Sequence, residues 1–113
     1  MHEMSIAQSV LRIVEANALR AGLARVSRVR VEIGRLAAVE PRSLEFCFGA
    51  VVAGSVADGA ALEIVETGGR AWCMRCSDSV EVASRLDDCP RCGSAQLQVT
   101  SGEAMRVIDL EGS

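Results

Sequence analysis

A chain of 113 residues, half of them hydrophobic, is long enough for one core but not comfortably for two, so one domain with a small metal-stapled appendage is expected. Its 12 basic residues, all arginine, face 15 acidic ones for a net charge of -3, which argues against non-specific binding to nucleic acid or to an anionic membrane. Phe46, Phe48 and Trp72 are the only aromatics, leaving little to stack on unpaired bases.

The opening Met1-His2-Glu3-Met4 lacks the positive charge of a secretory signal. The most apolar stretch, Phe46 to Ala57, is broken by glycines and a serine and is too short to span a bilayer. A cytoplasmic chain is expected, in which five cysteines are thiols or metal ligands rather than disulfides. Ser5-Ile6-Ala7-Gln8 fits a capping box and predicts a helix start at Ser5. Ile6, Val10, Ile13, Val14 and Asn17 recur at helical spacing, and Gly22 offers a left-handed stop.

From Val26 the period changes to two: Val29, Val31 and Ile33 alternate with Arg28, Arg30 and Glu32 up to Gly34, as in a strand with one face buried. Pro41 suits the first turn of a second helix, whose stripe of Leu44, Phe48, Val51 and Val52 ends near Gly54. Further strands are expected over 61–66 and 105–111. Strand, helix and strand from Val26 to Glu66 make a right-handed crossover with parallel strands. The expected fold is α+β: two helices on a small mixed three-stranded sheet, with an inserted zinc-ribbon-like four-cysteine domain. The expected domains are 1–68 with 99–113, and the insert 69–98.

Cys73-Met74-Arg75-Cys76 and Cys89-Pro90-Arg91-Cys92 are two C-x2-C pairs separated by twelve residues. Two intervening residues let a tight turn aim both sulfurs at one point, and Gly93 can take the positive φ such a knuckle requires. Four thiolates leave no open position for water, so the site reads as structural, with zinc as the metal and rubredoxin-like iron as the chemical alternative. Cys47, beside Phe46 and Phe48, reads as a small core residue.

At the other end, the Met1 amine, the amides of His2 and Glu3 and the His2 imidazole can reach one ion, a nitrogen set that suits nickel(II) or copper(II). The same histidine also reads as an ordinary solvated residue of a frayed terminus. Met1-His2-Glu3-Met4-Ser5 before an amphipathic helix, the strand Val29-Arg30-Val31-Glu32-Ile33-Gly34, Pro41, and the paired knuckles together resemble the HypA/HybF family of hydrogenase nickel-incorporation proteins, over essentially the whole chain.

That resemblance implies a nickel metallochaperone and not an enzyme. It implies nickel bound by Met1, His2 and Glu3, zinc held by Cys73, Cys76, Cys89 and Cys92, and delivery to the large subunit of nickel-iron hydrogenase with the GTPase HypB. Some members also serve urease. Whether the chain forms a homodimer is left open. A competing reading, a zinc-ribbon nucleic-acid or transcription module, meets a locally neutral insert in which Arg70, Arg75, Arg85 and Arg91 balance Asp78, Glu81, Asp87 and Asp88. A redox enzyme using the cysteine pairs would carry no stoichiometric zinc.

Overall fold

The structure, a computed structural model, describes residues 2–113. In chain order it comprises α1 (Glu3–Ala21), β1 (Val26–Gly34), a 3-10 turn (Arg35–Ala37), α2 (Pro41–Val51), β2 (Ala61–Thr67), β3 (Gly69–Cys73), β4 (Asp78–Val82), β5 (Leu97–Ser101) and β6 (Met105–Gly112). The strands form two sheets, β2-β1-β6 and β4-β3-β5, so the α+β class holds. The second sheet was not foreseen. Its strands are five residues long and turn Gly69, Ala71 and Cys73 inward on the central one, residue types that carry almost none of the β-branched signal by which strands are recognised.

The chain divides into two compact units: Met1–Val31, Val39–Val65 and Arg106–Ser113 in the first, Glu32–Ala38 and Glu66–Met105 in the second. In the first, α1 lies against α2. The buried residues of α1 are Ala7, Val10, Val14 and Ala18, spaced three, four and four as one helical face requires. Ile13, expected on that face, is instead 40% exposed.

The helix ends in a Schellman arrangement. Gly22 adopts φ 70°, its N–H donates to Leu19 O at 3.2 Å, and the Leu23 N–H donates to Ala18 O at 2.9 Å, satisfying carbonyls that the last turn leaves open. The start differs from expectation. His2, not Ser5, is the N-cap residue, and no side chain caps it; Ile6 N–H, the donor one turn in, reaches His2 O at 2.9 Å.

Helix α2 begins as its sequence implies, with Pro41 in the first turn and Glu40 as cap. The Glu40 carboxylate accepts the N–H groups of Ser43 at 2.7 Å and Arg42 at 3.3 Å. Leu44 and Phe48 are buried on α2 and Val26, Val29 and Val31 on β1; complete burial of a Phe or Leu contributes roughly 1.5–3 kcal/mol. Strand β6 runs antiparallel to β1: Arg25 and Ser113 exchange N–H to O bonds of 3.2 and 2.9 Å at one end, and Gly34 N–H reaches Ala104 O at 2.9 Å at the other. Arg28 on β1 pairs with Glu63 on β2 at 3.2 Å, and Arg35, just past the end of β1, pairs with Glu66 at 3.8 Å, an order that fits the expected parallel crossover.

In the second unit β3 is central and antiparallel to both neighbours. Leu36, Ala71, Cys73, Val80, Val82 and Cys89 form its buried core, with Cys76, Cys92, Leu97 and Val99 packed against them. Gly34 and Gly102 meet backbone to backbone there. A methyl group on Gly34 would fall inside the van der Waals radius of the Gly102 carbonyl, so the absent side chain permits the contact.

Candidate metal sites

The two knuckles are built by backbone geometry before any metal is considered. Cys73 closes β3, and Cys76 lies half-buried after a turn in which the Cys76 N–H donates to Cys73 Sγ at 3.3 Å and the Ser77 N–H to Cys73 O at 2.9 Å. Ser77 completes that turn in the left-handed region at φ 51°. The second knuckle repeats the plan with Arg91 N–H on Cys89 Sγ at 3.4 Å and Gly93 N–H on Cys89 O at 2.8 Å. Gly93 takes φ 77°, as its place after the last cysteine anticipates. An ion pair of Arg91 with Asp78 at 2.8 Å ties this knuckle to the start of β4.

Cys73, Cys76, Cys89 and Cys92 converge with all four sulfurs within 4.8 Å of one another. The Cys73–Cys92 and Cys76–Cys89 separations are 3.7 and 3.9 Å. A tetrahedron with zinc–sulfur bonds of about 2.3 Å has edges of about 3.8 Å. The donor set therefore fits a tetrahedral thiophilic cation.

Proton affinities in the cluster point the same way. The Cys76 thiol is pushed up to about 12, first by the neighbouring Cys92 sulfur and then by burial. At Cys89 burial acts upward, but N–H groups of Arg91 and Cys92 and the sulfurs of Cys73 and Cys92 outweigh it and bring the thiol down to about 6. Charge that settles on one sulfur keeps the proton on another. A divalent cation removes that conflict and allows four thiolates to coexist. Cys47 is half-buried on α2 and free; it is not one of the clustered sulfurs.

The N-terminal constellation is local. Met1 lies outside the described residues. His2 is exposed and Glu3 half-buried at the head of α1. Because the first four N–H groups of any α-helix have no carbonyl one turn back, the His2 and Glu3 amides precede the ladder bond from Ile6. Both amides thus lie outside the helical ladder although the helix starts two residues earlier than Ser5.

One neighbour of this region escaped the sequence. The Glu3 carboxylate accepts the Glu40 N–H at 3.2 Å, joining the first turn of α1 to the cap of α2. Only Pro41 in the first turn of α2 was readable; a contact across 37 positions leaves no local trace. No helix among the described residues is long and apolar enough to cross a membrane.

Comparison with known proteins agrees with these features. A family model described as "Hydrogenase/urease nickel incorporation, metallochaperone, hypA" matches residues 1–112. The chain is 54% identical over 111 residues to Hydrogenase maturation factor HypA 2 of Bradyrhizobium diazoefficiens, with 98% of each chain covered. It is 55% identical to Hydrogenase maturation factor HypA of Azotobacter chroococcum mcd 1 over the same length and coverage. Among solved structures, the solution structure of the Ni metallochaperone HypA from Helicobacter pylori superposes with a TM-score of 0.71 at 28% identity, covering 99% of this chain and 97% of that one. With its two helices, two small sheets and four-cysteine metal-binding cluster, the chain belongs to the HypA family of hydrogenase and urease nickel-incorporation metallochaperones.

Proposed function

We propose that this protein carries Ni(II) on its N-terminus and delivers it for maturation of nickel-iron hydrogenase, acting in the cytoplasm as a carrier and not as an enzyme. The donors are the Met1 amine, the amides of His2 and Glu3 and the His2 imidazole, with the Glu3 carboxylate as the alternative to an amide. The observation that carries this reading is the head of α1, where an exposed His2 occupies the N-cap position and the amides of His2 and Glu3 stand ahead of its first ladder donor. Releasing their protons to a square nitrogen field costs no helical bond.

The nickel-binding domain comprises 1–68 and 99–113, and the zinc domain 69–98. Cys73, Cys76, Cys89 and Cys92 hold a structural zinc, whose closed thiolate shell leaves no position for substrate or water. The recipient is the large subunit of nickel-iron hydrogenase, with the GTPase HypB as the working partner, and urease is a second destination consistent with the family's description. The donor chemistry gives the test. Extending the chain by one residue ahead of Met1 displaces the amine, so nickel affinity measured by calorimetry is expected to fall sharply while zinc content stays unchanged. Equal nickel affinity in the extended and native chains would contradict the assignment.

A further inference from the structure

In the first unit the strand order β2-β1-β6 leaves one side of β6 without a neighbouring strand. The register of that strand follows from its contacts. Arg25 and Ser113 exchange both backbone bonds, and Arg28 and Arg30 reach Glu111 and Asp109 at 3.4 and 2.6 Å. Side chains alternate across a strand, so Asp109 and Glu111 lie on the outer face of the sheet with these arginines. Ile108 and Leu110, both half-buried, lie on the face that carries the buried Val29 and Val31. Backbone groups alternate as well. Counted back from Ser113, Glu111 and Asp109 turn theirs to β1, and Leu110 and Ile108 turn theirs to the free edge.

That edge borders a cleft of about 390 Å³, with Asn17 and Ala21 of α1 on one wall and Val107, Ile108, Asp109 and Leu110 on the other. Ile13 stands one turn before Asn17 on the same stripe of the helix and is left 40% exposed. Arg20 donates to Asn17 Oδ1, which holds its guanidinium beside the cleft. Among the described residues Arg20 has no carboxylate partner, whereas Arg28 and Arg30 are both paired.

We propose that β6 is the docking edge for an extended segment of another protein, which adds as a fourth strand beside β6 and under α1. Main-chain bonds to Ile108 and Leu110 hold the segment, and its alternate side chains meet Ile13, Ala21, Ile108 and Leu110, the division of roles by which a strand joins a sheet edge. The segment is apolar at alternate positions and carries a carboxylate for Arg20, whose guanidinium is fixed by a neutral amide and keeps its charge for such a contact. A second copy of this strand fits poorly. An antiparallel pairing that uses Ile108 and Leu110 of both copies sets Asp109 against Asp109, and like charges directly opposite destabilise a pair. This inference stands independently of the nickel reading.

The experiment is an NMR titration of the untagged, zinc-loaded chain with a synthetic peptide of about eight residues that alternates valine with threonine and ends in two aspartates. The Ile108 and Leu110 amide resonances are expected to shift and their exchange with solvent to slow, while those of β3, β4 and β5 stay in place. The same peptide N-methylated at its valines cannot bond the edge and is expected to leave the spectrum unchanged. Arg20→Glu, at an exposed position, should weaken binding by about fivefold without altering circular dichroism. A peptide ending in two lysines should bind that variant better than it binds the native chain. No shift at Ile108 and Leu110, an equal response to the N-methylated peptide, or equal affinities of both charged peptides for both proteins would overturn the proposal. Shifts at these same amides on concentrating the chain without peptide would assign the edge to a second copy and overturn it as well.

Discussion

The two candidate metal sites are built in opposite ways. The four-cysteine cluster gathers residues from two knuckles separated by twelve residues, wraps them in a core where Cys73 and Cys89 are buried, and offers sulfur on all four corners. The N-terminal site uses consecutive residues at the exposed head of a helix. A cage that must fold to exist holds its ion for the life of the fold. A site made of three successive residues can release its ion without unfolding anything. In this account the first anchors structure and the second carries cargo.

The comparison breaks most visibly if the cage is emptied. Stripping zinc with a chelator is expected to disorder residues 66–105 first, because metal binding contributes on the order of 10 kcal/mol to folding in comparable structural sites. Amide resonances of β3, β4 and β5 should collapse while those of α1 and α2 persist; simultaneous loss of both units would contradict the division. The converse perturbation is Phe48→Ala. Phe48 is 1% exposed on α2, so its truncation is expected to cost about 3–5 kcal/mol, read by urea denaturation, with the cysteine site still loaded at concentrations of urea too low to unfold the variant.

The smallest effect concerns charge on the sheet of the first unit. The Arg30 guanidinium bonds Asp109 through Nε at 3.2 Å and Nη2 at 2.6 Å and holds the Asp109 carboxyl below its ordinary value. A carboxyl depressed in the folded state stabilises fully above its unfolded pKa, and that contribution is lost as pH falls through the folded value. The native chain should therefore lose an increment of stability on acidification that Asp109→Asn lacks. Since the pair is exposed the increment is small and screened by salt. Parallel stability-versus-pH curves for the two proteins would count against the pair.

Much of this architecture was legible in the chain because the features concerned are local. The alternation from Val29 to Ile33, the Pro41 start of α2, the Gly22 stop and the cysteine spacing all state short-range requirements of backbone geometry. What escaped was set by tertiary contact or by weak residue types. The capping box at Ser5 was plausible, yet the Glu3 carboxylate bonds the Glu40 N–H, a distant contact that accompanies a helix extending back to Glu3. Ile13 fits an apolar stripe by period, but the buried face runs through Ala7, Val10, Val14 and Ala18, and which of two adjacent apolar stripes is covered is set by tertiary packing. Strand β3 hid behind glycine, alanine and cysteine, and β4 and β5 behind a length of only five residues each.

The most direct measurement is the zinc and nickel content of the untagged native chain and of His2→Ala after exposure to nickel and removal of the excess. Both proteins are expected to retain one equivalent of zinc, with nickel at one equivalent in the native chain and none in the variant. Equal nickel in the two proteins, or loss of zinc on changing His2, would contradict a closed cage at the cysteines and a separate carrying site at the N-terminus.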